Sequence, residues 1–378
     1  MANSCTDELD KKPLNTRTPE KEYTSVNGYK TGLVSVFSNL AYTPFLRFYW
    51  GMQEYTTDEA VNSWNDDGRV WAYHDFNWSA DLPAISTVYK AALDIITEAN
   101  FFISESTSQK IASRGFSATD SAKITQFQAE ARFLRAFSFW VLMDAFGNPP
   151  FPTADDLGTK APKQIQRADL FKFIENELKE IEPILAAPKT NERGRPCRAA
   201  AWALLSRMYL NGKIYTGQDY YTDAITYCDK IINSGYTLEN RYDWLMIGDN
   251  HLNTNEFIFT INYDNTNYTF DSTNFLILGP ANVPATVNGL SNSWRSFRVT
   301  QQFVSIFGSD ISIDKRAMFY TTGQNRVVTS IPTSTDGYSA FKYRNVDRSG
   351  SSIKQSAGRS VQLSDVDFPL FRLAEIYL

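Results

Sequence analysis

Histidine and cysteine are scarce in this chain of 378 residues. The two histidines are His74 and His251, and the three cysteines, Cys5, Cys197 and Cys228, show no CxxC spacing. Protein zinc sites use three or four His, Cys or acidic ligands, so a three-histidine site is impossible and a zinc enzyme is disfavoured. The sequence therefore predicts no metal and no cofactor. Cys197 and Cys228 are expected to be buried thiols rather than a disulfide.

An excess of basic residues is also lacking. The chain has 37 Lys and Arg against 42 Asp and Glu, a formal net charge of −5, and no Lys/Arg-rich run. A nucleic-acid-binding surface needs a dominant positive field to displace counterions from phosphates. Nucleic acid is therefore not an expected partner.

Long apolar runs are missing too. No stretch approaches the roughly 20 apolar residues of a membrane-spanning helix, and the N-terminus has no signal-peptide core. The polar start, with Cys5 directly after Ser4, is how a mature bacterial lipoprotein would read if a starter Met replaced its signal. An ordinary exposed thiol is the alternative. Residues 1–18 are expected to form a flexible lead.

Apolar periodicity and capping residues predict a series of helices. Their approximate ranges are 18–42, 82–104, 119–146, 168–185, 198–210 and 220–234. The last two fit the tetratricopeptide template, with Trp202, Ser206 and Tyr209 in the first helix and Ala224 and Cys228 in the second. Helical spacing makes Trp202 and Tyr209 core residues.

Two further segments differ from this helical scaffold, which spans about 19–238. Residues 239–367 are rich in Asn, Thr, Ser, Gly and aromatics, and are expected to form long loops with a short strand at 256–261. The segment 368–378 matches the first helix of a further helix pair. Because such a helix cannot bury its apolar face alone, we expect chain beyond Leu378.

Several stretches together resemble the SusD/RagB family of Bacteroidetes outer-membrane lipoproteins. They are SCTD at 4–7, TDE at 57–59, AEARFLRAFSFWVLMDAFGNPPF at 129–151, GRPCRAAAWALLSRMYLNGKIYTGQDYYTDAITYCDKIINSGYTL at 194–238, NEFIFTINYD at 255–264, KYR at 342–344 and FPLFRLAEIYL at 368–378. They occur in family order over nearly the whole chain.

This resemblance implies a mainly α-helical fold, with tetratricopeptide-like helix pairs and a loop-rich part in a single domain over 19–378. It also implies a non-enzymatic protein at the cell surface. Such a protein is anchored in the outer membrane by lipid on Cys5, captures an oligosaccharide or polysaccharide, and delivers it to a TonB-dependent SusC-like transporter.

A neutral sugar is bound by exposed aromatic rings flanked by polar side chains. The first candidate cluster is the aromatic and polar loop after the TDE motif, with Asp58, Trp64, Trp71, Tyr73, Asn77 and Trp78. The resemblance places a platform tryptophan here, at Trp71 or Trp78. The second cluster follows the predicted strand and contains Tyr263, Tyr268, Phe270, Trp294, Arg295 and Arg298.

Two other functions stay open at this point. A glycoside hydrolase would need two carboxylates across a scissile bond, and the candidates Asp58, Glu59, Asp66 and Asp67 lie in no recognisable catalytic setting. A tetratricopeptide scaffold that binds proteins would explain the helix pairs but not the aromatic-rich loops.

Overall fold

The computed structural model describes residues 18–64, 69–154, 161–266, 273–291, 293–356 and 363–378. In these ranges the longer helices are α2 (Val26–Leu40), α3 (Thr43–Glu54), α5 (Pro83–Glu105), α7 (Ala118–Phe146), α8 (Arg167–Ile181), α9 (Arg198–Leu210) and α11 (Tyr221–Ile232). Short helices are α1 (Pro19–Glu22), α4 (Trp71–His74), α6 (Ser108–Ser113), α10 (Gly212–Thr216), α12 (Asn274–Leu278), α13 (Ala285–Asn288), α14 (Gln301–Ile306) and α15 (Leu373–Tyr377). The prediction of a mainly α-helical fold is confirmed.

The strands of the described residues are short and form three antiparallel pairs. They are β1 (Ala60–Asn62) with β3 (Phe297–Val299), β2 (Phe257–Ile261) with β6 (Phe368–Arg372), and β4 (Phe319–Tyr320) with β5 (Ser339–Ala340). None of the helices in the described ranges is long and apolar enough to cross a membrane.

Helix α7 is the centre of the helical scaffold. It begins after Ser117, whose hydroxyl accepts a hydrogen bond from the Asp120 amide at 3.1 Å, and it ends at Gly147, where φ is +76°. Helices α2, α5 and α8 pack against it. Phe133 and Phe137 on α7 are buried and contact rings of the β2–β6 sheet, which therefore shares this core.

The predicted helix pair at 198–234 is present. Helices α9 and α11 pack against each other, and both Ser206 and Ala224 are buried where the template requires small residues. Tyr209 is in the core as predicted, whereas Trp202 is only half-buried, with the Lys230 ammonium 5.5 Å from its ring centroid. Both thiols are free, with Cys197 buried and Cys228 half-buried.

A single helix over 18–42 is the first wrong prediction. The chain breaks after α1, and α2 starts anew with the Ser25 hydroxyl accepting from the Gly28 amide at 3.1 Å. The break lets Tyr23 fold back onto Gly32, where an added Cβ would lie 2.6 Å from the Tyr23 hydroxyl. Tertiary packing of Tyr23 therefore overrides the local helical pattern.

Two other segments also differ from expectation. Residues 368–378 do not begin as a helix, because 368–372 pair with β2 as strand β6 and only 373–377 are helical. No helix is predicted between residues 42 and 82, yet α3 lies there and contains Trp50; it has a proline in its first turn.

Ion pairs join α7 to α8 beneath the surface. The Glu177 carboxylate is buried between Arg132, at 2.6 Å, and Arg135. Burial alone would raise the pKa of Glu177, but the hydrogen bond from Arg132 and the charges of both arginines hold it below its ordinary value. The ionised carboxylate is therefore the stable form in the fold.

Glu177→Gln is expected to lower the free energy of unfolding at neutral pH by about 3–5 kcal/mol, since it leaves two partly buried arginines underpaired. Because the folded pKa lies below the unfolded value of 4.5, the carboxylate's contribution is present above that value and is lost as the pH falls through the folded pKa. The free energy of unfolding, measured with urea, should thus fall more steeply with decreasing pH for wild type than for the variant.

Glu180→Gln is the matched control, because Glu180 also pairs with Arg132 but its side chain is 66% exposed. It is expected to change stability by less than about 1 kcal/mol. Equal losses in the two variants would show that burial of Glu177 has no special effect.

Candidate functional site

The pairing of β1 with β3 brings the two predicted aromatic clusters together. Ala60 lies opposite Val299 and Asn62 opposite Phe297. Trp64 follows β1 and Trp294 precedes β3, and their ring centroids are 5.9 Å apart with planes inclined by 30°. Residues from the two clusters therefore contact each other although they are distant in sequence.

Two members of this contact are half-buried rather than open. Trp294 packs against the main core, and the Arg47 guanidinium lies 5.3 Å from its ring centroid. Trp64 is held through its amide, which donates to the Asn62 side chain at 2.8 Å. Arg295, next to Trp294, is exposed with φ at +55°. A guanidinium thus lies over the Trp294 ring, and neither tryptophan is fully open to solvent.

Helix α4 carries Tyr73 into the protein. Tyr73 is 1% exposed and shares a small core with Ala60 of β1 and Phe297 of β3. Burial raises the pKa of its hydroxyl, which has no hydrogen-bond partner among the described residues. Tyr73 was predicted as a glycan contact, and this is wrong because its ring is inaccessible from solvent.

The loop after α4 displays two aromatic rings to solvent. Phe76 is 68% exposed and Trp78 is 42% exposed, with ring centroids 5.5 Å apart and planes inclined by 40°. Trp78 rests against buried Tyr73, at 6.0 Å in an edge-on arrangement. Asn77, between them in sequence, is exposed, and its amide donates to the Ala72 carbonyl at 3.0 Å. We call Phe76 and Trp78 the aromatic pair.

Sequence reasoning missed Phe76. Its φ of +49° is unusual for a residue with a large side chain and is one of the few positive values at a non-glycine position among the described residues. Such strain persists where the surrounding structure imposes it, often at binding sites. The sequence feature that could have indicated Phe76 is its position two residues before Trp78, with Asn77 between them, in a polar stretch.

Trp71 offers less to a ligand than Trp78 does. It is the first residue of α4, is half-buried, and its indole Nε1 is buried without a hydrogen-bond partner among the described residues. Of the two platform candidates from the sequence, Trp78 is therefore the one whose ring is available to solvent.

A polar cavity of about 390 Å³ lies beside the end of α4. We call it the Asp58 cavity, and its lining residues are Asp58, Val61, His74, Thr300, Gln301, Gln302, Val328, Thr329 and Ile331. Asp58 is exposed, and its backbone carbonyl accepts a hydrogen bond from the Thr300 hydroxyl, which fixes it beside β3. Nδ1 of His74 is buried and has no partner within the described ranges. The side chains of Asp58, Gln301 and Gln302 can accept from and donate to sugar hydroxyls.

Arg298 and Tyr263 do not reach solvent, so their prediction as glycan contacts is wrong. The Arg298 side chain is fully buried and donates to backbone carbonyls, and desolvation lowers its pKa to about 10. Tyr263 is 2% exposed, and its hydroxyl donates to the Ala41 carbonyl at 3.2 Å. Both side chains stabilise the fold through hydrogen bonds to backbone carbonyls.

Some candidates lie outside the described residues. These are Cys5, Tyr268, Phe270, Asp66 and Asp67. Within the described ranges, no three His, Cys, Asp or Glu side chains form a group suited to a metal ion.

A larger cavity, of about 610 Å³, lies between α3 and β6. None of the predicted glycan contacts lines it, although Glu59, a candidate carboxylate of the hydrolase alternative, does. Trp50, Tyr343 and Phe368 contribute rings, and Glu54 and Lys342 contribute charge. Burial raises the pKa of Glu54 to about 7. The exposed rings of Phe76 and Trp78 do not line this cavity, and we therefore take the Asp58 cavity, beside the end of α4, as the candidate site.

Comparison with known proteins adds independent information. Residues 9–210 match a SusD-like family model described as starch-binding and associating with the outer membrane. The chain is 28% identical to the starch-binding protein SusD of Bacteroides thetaiotaomicron, over 99% of this chain and 76% of that protein. That name is of a binding protein and not of an enzyme.

Solved structures share the fold. A SusD homolog from Bacteroides thetaiotaomicron has a TM-score of 0.75 at 19% identity, covering 96% of this chain and 75% of its own. A laminarin-binding SusD-like protein has a TM-score of 0.72 at 19% identity, covering 94% and 79%. At these identities the likeness establishes the architecture alone.

The strain at Phe76 can be measured by substitution. Phe76→Gly is expected to be more stable than Phe76→Ala by about 1 kcal/mol, because glycine adopts positive φ without steric cost. Urea unfolding at neutral pH measures both variants. At Asn77, which does not have positive φ, the same comparison should favour alanine. A Phe76→Gly variant no more stable than Phe76→Ala would show that the backbone there is unstrained.

Proposed function

The chain belongs to the SusD-like family, and on this premise we propose that it is a glycan-binding protein. Its ligand lies on the aromatic pair and reaches into the Asp58 cavity. The observation that carries this proposal is the exposure of Phe76 and Trp78 directly after the helix whose last residue, His74, lines that cavity.

The chemistry of the two parts is complementary. The C–H faces of a sugar ring pack on aromatic planes, and its hydroxyls exchange hydrogen bonds with Asp, Gln, Thr and His side chains. Asp58, Gln301 and Gln302 supply carboxylate and amide groups in the cavity. A neutral oligosaccharide or polysaccharide therefore satisfies both parts at once.

Binding without hydrolysis is the function that the family supports, since the similar proteins are named for binding starch and laminarin. The lining of the Asp58 cavity agrees with this. Asp58 is its one carboxylate among the described residues, whereas a glycosidase typically places two across the scissile bond.

The cellular setting is part of the proposal. The family description associates these proteins with the outer membrane. We place this protein on the cell surface, held by lipid on Cys5, where it passes its glycan to a TonB-dependent SusC-like transporter. A single acyl chain anchors only marginally, so stable attachment requires the multiple chains of a bacterial lipoprotein.

Glycan binding is expected to be weak and to depend on the aromatic pair. Two ring contacts at about 1 kcal/mol each and a few hydrogen bonds, less the cost of ordering the sugar, leave about −4 to −6 kcal/mol. The dissociation constant is then about 1 mM to tens of micromolar. After a polysaccharide panel identifies a ligand, calorimetry should show about fivefold weaker binding for Phe76→Ala and for Trp78→Ala.

Phe101→Ala is the control, because Phe101 is a partly exposed aromatic residue, at 38%, on helix α5. It should bind like wild type. Trp64→Ala and Trp71→Ala test the half-buried tryptophans in the same titration. Undiminished affinity of a folded Phe76→Ala/Trp78→Ala double variant would move the site elsewhere.

Anchoring through Cys5 has its own test. When the chain is expressed in a Bacteroidetes host behind a lipoprotein signal peptide that ends directly before Cys5, wild type is expected in the outer-membrane fraction and Cys5→Ala in soluble fractions. Cys228→Ala controls for loss of a thiol as such. Equal membrane retention of Cys5→Ala and wild type would refute the lipid anchor while leaving glycan binding untouched.

A further inference from the structure

Arg298 is a charged side chain in an unusual position. It is fully buried, which is costly for a guanidinium unless every donor is satisfied. Its Nε donates to the Asp336 carbonyl at 2.9 Å, and its terminal nitrogens donate to the carbonyls of Ser296 at 3.3 Å, Thr333 at 3.1 Å and Ile331. The partners are backbone oxygens, so the side chain holds the course of the chain.

Three of these carbonyls belong to one segment, 329–336. The other end of this segment is tied to the Asp336 carboxylate, which accepts from the backbone amides of Thr329 at 3.1 Å and Ser330 at 3.0 Å. The Thr329 hydroxyl also donates to this carboxylate and contributes most to lowering the pKa of Asp336 to about 2. Arg298 and Asp336 together hold the segment as a closed loop.

This loop is one wall of the Asp58 cavity. Thr329 and Ile331 line the cavity, together with Val61 on β1. Val61 is the register partner of Arg298 in the β1–β3 pair. The backbone of Arg298 thus fixes the β1 wall, and its side chain fixes the loop wall.

We propose that Arg298 is a positioning residue for glycan binding, which sets the width of the Asp58 cavity by holding the 329–336 loop against β3. This inference rests on the proposed function. Arg298 itself touches no ligand. A lysine at this position has one ammonium in place of the planar fork and cannot reproduce the set of contacts, so it should restore only part of the effect.

The test compares Arg298→Lys and Arg298→Met with wild type. Affinity for the best polysaccharide of the panel is measured by calorimetry well below each variant's unfolding temperature. Hydrogen exchange of the free proteins reports the local order of residues 328–337. We expect at least tenfold weaker binding for Arg298→Met, an intermediate loss for Arg298→Lys, and faster exchange confined to the loop while α5 and α7 exchange as in wild type.

Arg326→Met is the matched control. Arg326 precedes the same loop, but its described contact is a single exposed hydrogen bond to the Ser305 hydroxyl at 2.9 Å. The affinity of Arg326→Met for the same polysaccharide should stay within twofold of that of wild type. If the Arg298 variants do not fold, Asp336→Asn loosens the other end of the loop without removing the buried guanidinium, and binding should again weaken severalfold.

The outcomes are separable. Wild-type affinity in a folded Arg298→Met, or in Asp336→Asn when the Arg298 variants do not fold, overturns the positioning role and leaves glycan binding intact. Weaker binding with unchanged hydrogen exchange in the loop also overturns the positioning role, because the loss of affinity then does not come from a disordered loop. If wild type binds no glycan on the panel, the proposed function fails, and loop exchange alone shows whether Arg298 orders the segment.

Discussion

The short antiparallel contact between β1 and β3 is the interaction on which the candidate site depends. Beyond its three residue pairs, the Ser63 amide donates to the Ser296 carbonyl at 2.6 Å and the Thr300 amide to the Glu59 carbonyl at 2.9 Å. These bonds join a loop of the N-terminal helical part to the loop-rich part. Trp64 meets Trp294 and Asp58 meets Thr300 only because this pairing exists.

Buried side chains beside this contact support the exposed groups of the proposed site. Tyr73 is the inner surface on which Trp78 rests, and Arg298 holds the loop opposite Asp58. In the proposed site this support leaves the binding surface less conformational freedom to lose, so less of the binding free energy would be spent on ordering it. The positive φ of Phe76 agrees with the proposed site, because residues in sparsely populated backbone conformations cluster at binding sites.

Long periodic segments were predictable, whereas the site was predictable only in part. Helices α5 and α11 carry an apolar stripe over several turns, whereas α7 and α9 are apolar on nearly all sides. Their ranges followed from this apolar pattern together with the capping residues. Strands of three residues are too short to show a periodic pattern, and the β1–β3 pairing could therefore not be predicted from the sequence. Composition identified Trp78 as an aromatic residue in a polar stretch, but it could not distinguish exposed Trp78 from buried Tyr73, or a ligand-facing arginine from buried Arg298. Local pattern also failed at β6, where pairing with β2 overrides a helical template.

A crystal structure of the protein with its tightest-binding oligosaccharide would locate the glycan. We expect a sugar ring stacked on Phe76 or Trp78, with hydroxyl oxygens within about 3 Å of polar side chains in the Asp58 cavity. A sugar bound instead in the cavity lined by Trp50 and Tyr343, with the aromatic pair unoccupied, would contradict this expectation.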